Sequence, residues 1–384
     1  MIPTMWSATL PRRLGMLLGT PLMIRGIVLG FLFGALGLGW QEYLGLSDGG
    51  SFLTLARTML NRSSLVPLTF YDTRVFPFWP LGEALVLTTG LPEPAVLGLT
   101  VLLSGLVVWL FHRLTGSLPF ALLLAVFPPA WVLASVHPVS EALYLALGLA
   151  AAWALRLNRF CVAGLCMGAM ISTRPFGIAW AAMAVVLGAN ESRLRRSWRQ
   201  VALTISGIFV GLSPLILINL HFYGDVWHQV RVYAAPLNAL NVHGAVSQTL
   251  GPAQGHWGPP FWYVLATPWI VPVPFWKVAY IYAHVVALLL LIPVALSGMR
   301  EEFNGRRDLA RILLFGAFVL NGILIVCGGP YWGFHSFDRY FLWGLPGALL
   351  SAERILHGRL LPWLPLAGVV SLAAVGFSLV QHLP

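Results

Sequence analysis

Long apolar runs recur along this chain and limit what it can fold into. They are roughly 15 to 22 residues long, close to the roughly 20 residues that a helix needs to cross the hydrocarbon core of a bilayer. Hydrophobic residues make up 58% of the 384 residues and charged residues only 9%, which is more apolar surface than a water-soluble core can hide. Alternating strands of barrel length are absent, so bundled helices must satisfy the backbone in lipid. The sequence predicts an all-α polytopic membrane protein.

The positions of these runs predict eleven transmembrane helices. They lie near residues 21–40, 94–112, 117–136, 139–156, 159–173, 175–190, 199–219, 277–298, 308–328, 340–356 and 360–381. No long repeat or low-complexity tract divides the chain, so we treat residues 1–384 as one transmembrane domain. Arginines cluster in the short loops, and basic loops stay in the cytoplasm. This predicts that Arg195 and Arg306 are cytoplasmic, and that the long connections 41–93 and 220–276 face outward.

The formal net charge of +10 does not indicate nucleic acid as a partner. All but one of the 23 basic residues are arginines, and most lie in short loops, where they act as a topology signal. No His, Asp and Glu cluster has the spacing of a metal site, so we expect no metal and no cofactor. The arginine bias is typical of a GC-rich bacterial genome. The expected location is therefore a bacterial plasma (inner) membrane, with the outer loops facing the periplasm or exterior.

The two outer connections are where chemistry is expected. Connections longer than about 15 residues are often functional in compact proteins. They also contain nearly every acidic residue outside the cytoplasmic loops: Glu42, Asp48, Asp72, Glu83, Glu93 and Asp225. Within the first connection, residues 51–62 and 77–90 are predicted to form helices that lie along the membrane interface.

Four short motifs follow one another in the first half of the chain. They run from Asp48 to Leu53, from Phe76 to Pro80, from Pro128 through Ser140-Glu141 to Tyr144, and from Arg174 to Gly177. In this order they resemble the multi-spanning C-class glycosyltransferases (GT-C). They are most similar to the PIG-V-like family, the mannosyltransferases that add the second mannose of the GPI anchor. The resemblance covers about residues 20–190.

The chain departs from the family pattern at three positions. It has Val139 where the family usually has Tyr and Phe176 where the family has Asn, and Arg74 is not typical. The resemblance still implies a GT-C-like bundle of about eleven helices. It also implies an inverting glycosyltransferase, expected to be a mannosyltransferase. Such an enzyme would move a sugar from a polyprenyl-phosphate donor to a glycan, lipid or protein acceptor on the outer membrane face.

Asp48 is the candidate catalytic base. Glycosyl transfer from a lipid phosphate needs a carboxylate to accept the proton of the acceptor hydroxyl, and cations to stabilise the leaving phosphate. Asp48 lies just beyond the first predicted span, within reach of water and lipid headgroups. Asp is also a common N-cap, so Asp48 could equally cap the helix predicted at 51–62.

Cationic residues of the outer face are candidates for binding the donor phosphate. Arg74 and Arg339 could grip it because a guanidinium binds phosphate in a bidentate geometry. His335 could donate a hydrogen bond to the phosphate or to a sugar hydroxyl. Alternatives remain open: Arg74 could anchor lipid headgroups, Arg339 could pair with Asp338, and His335 could be an ordinary interfacial histidine.

A substrate pocket is predicted from polar and aromatic residues near the outer face. Its candidate members are Glu141, Arg174, Asp225, His256 and Trp257. Glu141 and Arg174 lie at the membrane boundary, where an isolated charge is costly, so a structural ion pair between them is an equal alternative to substrate contact. Interfacial anchoring is the alternative for the tryptophans.

Two other function classes compete with the glycosyltransferase. A transporter or flippase would place polar residues near the bilayer midplane on broken helices, with repeat symmetry that this sequence lacks. A polymerase or ligase of lipid-linked glycans would use outer arginines and histidines without the Asp48 motif.

Overall fold

The computed structural model describes residues 9–45, 48–61, 76–194, 196–234, 275–305, 307–327, 341–356 and 359–381. Regular structure in these ranges is helical throughout. The α-helices are Thr9–Gly30 (α1), Trp40–Gly45 (α2), Asp48–Asn61 (α3), Phe78–Thr88 (α4), Ala95–Thr115 (α5), Leu118–Val126 (α6), Pro129–Ala134 (α7), Glu141–Arg156 (α8), Phe160–Thr173 (α9), Gly177–Leu194 (α10), Arg199–Tyr223 (α11), His228–Ala234 (α12), Phe275–Asn304 (α13), Leu309–Cys327 (α14), Leu345–Leu356 (α15) and Leu364–Gln381 (α16). A π-helical turn, Phe31–Ala35, extends α1.

Four helical segments of the described chain are long and apolar enough to cross a membrane: Gly15–Ala35, Ala95–Thr115, Arg199–Tyr223 and Tyr282–Asn304. Shorter apolar helices include Phe160–Thr173, Leu309–Ile325 and Leu364–Gly376. The prediction of an all-α protein of membrane type is confirmed at this level. Each of the eleven predicted spans overlaps a helix, but that all eleven cross the membrane stays a prediction.

The tightest helix pair is α9 against α11, and glycines make it possible. Gly164 and Gly168 lie one turn apart on α9 and face Gly207 and Gly211 on α11. A Cβ atom at any of the four would overlap backbone atoms of the opposite helix. Small residues spaced four apart let two helices approach closely. In lipid, van der Waals packing of this kind drives helix association, because the hydrophobic effect does not act between helices there. This close pairing fixes the position of Arg174, which follows α9 directly.

The predicted span 117–136 is wrong as one helix, because the structure breaks it in two. Helix α6 ends at Val126, and α7 begins at Pro129. Phe127 and Pro128 between them have extended backbones. Pro128 lacks an N–H and restricts the residue before it, so the helix cannot continue through this point.

Arg25 of α1 fills the break. It is fully buried, its Nη1 donates to the carbonyl oxygen of Ala125, and its Nε donates to Ser135 Oγ at 2.8 Å. The guanidinium carbon also lies 5.7 Å from the centre of the Trp131 ring. The sequence reading named only Glu141 and Arg174 as charged residues inside the membrane, so it missed Arg25.

The predicted cytoplasmic arginines meet at one end of the bundle. Arg156, at the end of α8, pairs with Asp308 and donates to the carbonyl oxygens of Arg113 and Leu114 at 3.2 and 2.7 Å. Helix α8 begins at Glu141 and has 16 residues, so its two ends lie roughly 24 Å apart at 1.5 Å per residue. Glu141 therefore lies at the opposite end from this arginine cluster.

Candidate functional site

Helix α3 begins at Asp48, three residues earlier than predicted. Asp48 is therefore in the first turn and does not cap a helix starting at residue 51, although a carboxylate there is still favoured by the helix dipole. The next residue must be small, because a Cβ at Gly49 would lie 2.8 Å from Pro138 Cγ and 3.2 Å from the Leu44 carbonyl oxygen. The turn before α8 thus packs directly on the first turn of α3.

Helix α3 packs into the protein along one broad side. Phe52, Leu53, Leu55 and Ala56 are all buried. These four positions form one broad stripe along the helix, and Arg57 on the opposite side is exposed. Residue 52 lies one turn after Asp48 on the same face of the helix, because positions i and i+4 stack.

Arg174 is held at this face of α3 by a buried polar group. Its Nη2 lies 3.2 Å from Glu141 Oε1, and its Nε donates to Ser140 Oγ at 2.6 Å. The guanidinium carbon lies 5.4 Å from the centre of the Phe52 ring. Glu141 is fully buried and Arg174 is 9% exposed. The ion pair that the sequence allowed is present, and it holds the guanidinium beside Phe52 of α3.

Gly177 explains the end of the Arg174-x-x-Gly177 motif. A Cβ atom on Gly177 would lie 2.6 Å from the backbone nitrogen of Ile171 and 2.7 Å from the Met170 carbonyl carbon. The Gly177 N–H also donates to the Arg174 carbonyl oxygen at 3.0 Å. The glycine therefore closes the turn that orients the arginine.

The turn 135–140, between α7 and α8, connects the parts of the site. Tyr43 Oη donates to the Val136 carbonyl oxygen at 3.1 Å, and Trp79 Nε1 lies 3.4 Å from the Pro138 carbonyl oxygen. His137 lies edge-on to the Tyr43 ring, with 5.0 Å between ring centres. Sequence reasoning missed this turn, although the Pro128 to Glu141 motif passes through it.

The four sequence motifs meet in space around this turn. Gly49 of the first motif touches Pro138, Trp79 of the second reaches the same proline, and Arg174 of the fourth binds Ser140 and Glu141. Phe52, Trp79, Val96 and Val139 form a shared apolar cluster beneath them. Motifs that are scattered along the sequence therefore form a single wall at the end of the bundle opposite the arginine cluster.

Glu83 of α4 is a buried acid that the sequence reading did not single out. It is fully buried, and within the described part of the chain neither carboxyl oxygen has a hydrogen-bond partner. Burial raises the pKa of the Glu83 carboxyl well above its usual range, and the nearby Trp79 indole opposes only part of that shift. The sequence could have identified it, because Glu83 lies one helical turn after Trp79 on a face otherwise made of apolar residues.

Asp225 takes part in a local arrangement at the end of α11. Its Oδ1 accepts a hydrogen bond from the Trp227 backbone N–H at 3.0 Å and lies 3.2 Å from Arg231 Nη2. Tyr223 and His228 stack nearby, with 3.8 Å between ring centres. Burial lowers the pKa of His228, against the opposing charge of Asp225. These contacts stabilise the start of the connection that follows α11 and do not link Asp225 to Arg174.

Several predicted positions lie outside the described residues. They are Arg74, His256, Trp257, His335 and Arg339, the side chain of Asp48, and the topology markers Arg195 and Arg306. Within the residues that are described, no group of three or more His, Cys, Asp or Glu could hold a metal ion.

A cavity of about 460 Å³ lies at the arginine end, away from Glu141. Its charged lining residues are Arg156, Glu191, Arg307 and Asp308. Two arginines and two carboxylates balance in charge, so this cavity does not provide the net positive field that a phosphate needs.

Comparison of the chain with protein-family models, with curated proteins and with solved structures finds no match. A functional assignment must therefore come from the site and from the motifs that form it.

Proposed function

We propose that this protein is a membrane glycosyltransferase of GT-C type that transfers a sugar, in our proposal mannose, from a polyprenyl-phosphate donor. One observation supports the proposal above the others: the four family-like motifs converge on one wall. Gly49 and Phe52 bring the first turn of α3 against that wall. A chance resemblance of four degenerate motifs gives no reason for them to be neighbours in the fold.

The proposed chemistry uses Asp48 as the general base. Its carboxylate takes the proton of the acceptor hydroxyl while the acceptor oxygen bonds to the anomeric carbon from the face opposite the phosphate. The bond between that carbon and the phosphate oxygen breaks, and its electron pair leaves with the phosphate. This direct displacement inverts the anomeric centre. General-base catalysis of this kind contributes about 10² to 10⁴ in rate.

Arg174 provides a fixed guanidinium at the same wall. The Glu141 partner and the Ser140 hydroxyl fix two sides of its guanidinium, and Glu141 balances its charge. Arg174 therefore acts as a preorganised hydrogen-bond donor, and the net positive charge for the leaving phosphate comes from other residues. Arg74, Arg339 and His335 remain our proposed ligands of the donor phosphate. We propose that the sugar and the acceptor bind against His256, Trp257 and Asp225. The lipid tail of the donor would then lie between helices.

The test is transfer by purified protein in lipid nanodiscs. The probes are radiolabelled polyprenyl-phosphate mannose, GDP-mannose and unglycosylated polyprenyl phosphate, with bacterial membrane lipids as the acceptor mixture. The proposal predicts labelled product and released polyprenyl phosphate from the first donor alone. Use of GDP-mannose, or no consumption of polyprenyl-phosphate mannose by stable protein that binds it, contradicts the proposal.

A flippase is the second candidate, and Arg25 is the observation that favours it. A buried charge in the middle of the Gly15–Ala35 segment, beside a broken helix, resembles the midplane sites of transporters. Against it, Arg25 uses Nε and Nη1 on Ser135 and Ala125 and caps the broken helix α6. We therefore assign Arg25 to holding the turn that carries Ser140 and Glu141.

Proteoliposomes distinguish the two functions. A flippase would move fluorescent polyprenyl phosphate between leaflets without breaking any bond, and Arg25→Gln would abolish that movement. The glycosyltransferase predicts sugar transfer at a fixed leaflet, with no acceleration of lipid movement over protein-free vesicles.

A further inference from the structure

The cavity at the arginine end has no role in the mechanism above, yet it has the size of a ligand pocket. Its volume of about 460 Å³ falls within the range of roughly 300 to 1,000 Å³ that is typical of small-molecule sites. It lies between the end of α8, the last turn of α10 and the loop that joins α13 to α14. Three separate parts of the chain therefore build it.

The four charged lining residues are not equally available to a ligand. Arg156 and Asp308 are paired with each other, and Asp308 Oδ1 also accepts the backbone N–H of Ala310 at 3.0 Å. This pair is neutral and already has its partners. The side chain of Arg307 forms no ion pair or hydrogen bond within the part of the chain that the structure describes. A carboxylate has about four acceptor positions, so Glu191 can accept a further donor.

The cavity lies at the level where lipid headgroups are expected. The guanidinium carbon of Arg113 is 5.8 Å from the centre of the Trp109 ring and 5.5 Å from the centre of the Trp153 ring. The Arg113 carbonyl oxygen accepts a hydrogen bond from Arg156 at 3.2 Å. Tryptophan rings are enriched where the hydrocarbon core meets water. These contacts therefore place the lining residue Arg156 near the membrane surface.

Apolar surface is exposed beside the cavity. Leu157 is exposed and lies between the lining residues Arg156 and Asn158. Leu194 is also exposed and follows Glu191 by three residues, on the same face of α10. A ligand with a polar head and apolar chains can cover both the cavity and this apolar surface. A soluble metabolite can cover only the cavity.

We propose that this cavity binds the headgroup of phosphatidylethanolamine. Its primary ammonium balances the charge of its phosphodiester, so the headgroup needs no net positive field from the protein. The guanidinium of Arg307 binds the phosphodiester, and the carboxylate of Glu191 accepts the ammonium N–H groups. The acyl chains lie along Leu157 and Leu194. The site is at the opposite end of the bundle from the proposed active site, so the inference is independent of sugar transfer.

Native mass spectrometry of the full-length protein in detergent measures this binding. The probe is an equimolar mixture of phosphatidylethanolamine, phosphatidylcholine and phosphatidylglycerol with identical acyl chains. Choline has no N–H to donate, and phosphatidylglycerol has no cation. The wild type is expected to retain phosphatidylethanolamine about tenfold more than either other lipid, as one charge-assisted hydrogen bond allows. Glycerophosphoethanolamine, the same headgroup without acyl chains, should bind far more weakly.

Two substitutions test the assigned roles. Glu191→Gln leaves the cavity with a net positive charge, so retention of phosphatidylethanolamine should fall about tenfold while retention of phosphatidylglycerol rises. Arg307→Asn should lose phosphatidylethanolamine to a similar degree without gaining phosphatidylglycerol. Residue 307 has a φ of 52°, a left-handed conformation that asparagine tolerates, so this variant is expected to fold and carries the test even if Glu191→Gln does not. Arg196→Asn is the matched control, because Arg196 is exposed with a φ of 51° and is not a lining residue.

Equal retention of the three lipids by the wild type overturns the inference, and so does an unchanged lipid preference in folded Glu191→Gln or Arg307→Asn. A loss in Arg196→Asn as large as that in Arg307→Asn contradicts a specific site. Binding of glycerophosphoethanolamine as tight as that of the lipid assigns the cavity to a soluble zwitterion and overturns the lipid. None of these results depends on sugar transfer, so the proposed function stands or fails separately.

Discussion

The buried carboxyl of Glu83 predicts how stability depends on pH. In the unfolded chain this group ionises near its ordinary pKa of about 4.3. In the folded protein, burial raises the pKa well above that range and the Trp79 indole offsets only part of the rise, so the carboxyl stays protonated. Between the two pKa values the folded state holds one more proton than the unfolded state. Stability from this group is therefore complete below about pH 4.3 and falls as pH rises toward the folded pKa, by at most about 1.4 kcal/mol per pH unit.

Glu83→Gln removes this dependence, because glutamine has the same shape and is neutral at every pH. Its amide is as unsatisfied in the site as the neutral acid, so the two proteins should be about equally stable near pH 4.5. From pH 5 upward the variant should become the more stable, with a gap that widens by up to about 1.4 kcal/mol for each pH unit below the folded pKa.

Denaturant titration of the detergent-solubilised protein measures this gap, with tryptophan fluorescence recorded at pH 5, 6 and 7. Glu42→Gln is the matched control, because Glu42 is an exposed carboxyl of the same outer segment, and its stability should follow the wild type at each pH. Parallel curves for wild type and Glu83→Gln from pH 5 to 7 would show that Glu83 is already ionised in the folded state. That result would refute the reasoning from burial.

Three further outcomes follow from the packing, the sidedness and the proposed phosphate site. Gly168→Ala forces a Cβ into the backbone of α11 and should lower the free energy of unfolding by about 1 to 3 kcal/mol. Gly98→Ala is the control, because a Cβ there meets nothing within 4 Å and should not destabilise the protein. Equal stability of the two variants would contradict the account of the helix pair. In a variant with the native cysteines replaced, a membrane-impermeant maleimide on intact cells should label Thr89→Cys but not Asn158→Cys, and the reverse pattern would place Asp48 in the cytoplasm. Arg74→Lys should impair transfer nearly as much as Arg74→Ala if a bidentate guanidinium holds phosphate, whereas full activity in both would leave Arg74 as a lipid anchor.

The helical architecture was predictable because lipid leaves the backbone few choices. Length and hydropathy placed helices at every predicted span, since an apolar run in a bilayer must satisfy its N–H and C=O groups internally. The ends of the helices were predicted less closely than their positions. Helix α3 begins at Asp48 and not at residue 51. The prediction started too late because the polar sequence Asp48-Gly49-Gly50 resembles a loop, and only the structure shows Gly49 packed against Pro138.

The break between α6 and α7 was visible in sequence but misread. Pro128 and Pro129 belong to one of the four motifs, but the span 117–136 was predicted from hydropathy alone and passes through both prolines. Arg25 was missed for a related reason. The average hydropathy of the span 21–40 stays high despite one arginine, so the arginine was not considered separately. A charge at that depth must have partners, and here the carbonyl oxygen left free by the break is one of them.

The convergence of the site could not be read from the sequence. Nothing local in Asp48 or Arg174 indicates that α3 and the end of α9 are neighbours, because that contact depends on the glycine pairing of α9 with α11 and on the turn 135–140. The ion pair of Glu141 with Arg174 was anticipated on energetic grounds. The second buried acid, Glu83, was not singled out, although its place one turn after Trp79 on an apolar helical face was visible in the sequence.

Asp48→Asn tests the central claim most directly. In the first turn of α3, loss of the negative charge should cost only about 0.3 to 1 kcal/mol through the helix dipole. Asparagine keeps the size and polarity of the side chain, so expression and folding should survive. It cannot accept a proton at neutral pH, so loss of the general base predicts a fall in transfer on the order of 100-fold or more.

The measurement is the rate of sugar transfer from polyprenyl-phosphate mannose by purified Asp48→Asn protein, compared with wild type at equal concentration and at a temperature well below both melting transitions. Thermal unfolding of the two samples supplies the stability control. The account predicts a small change in Tm together with a collapse of transfer. A variant that transfers the sugar at a near-normal rate would contradict Asp48 as the catalytic base and the mechanism built on it.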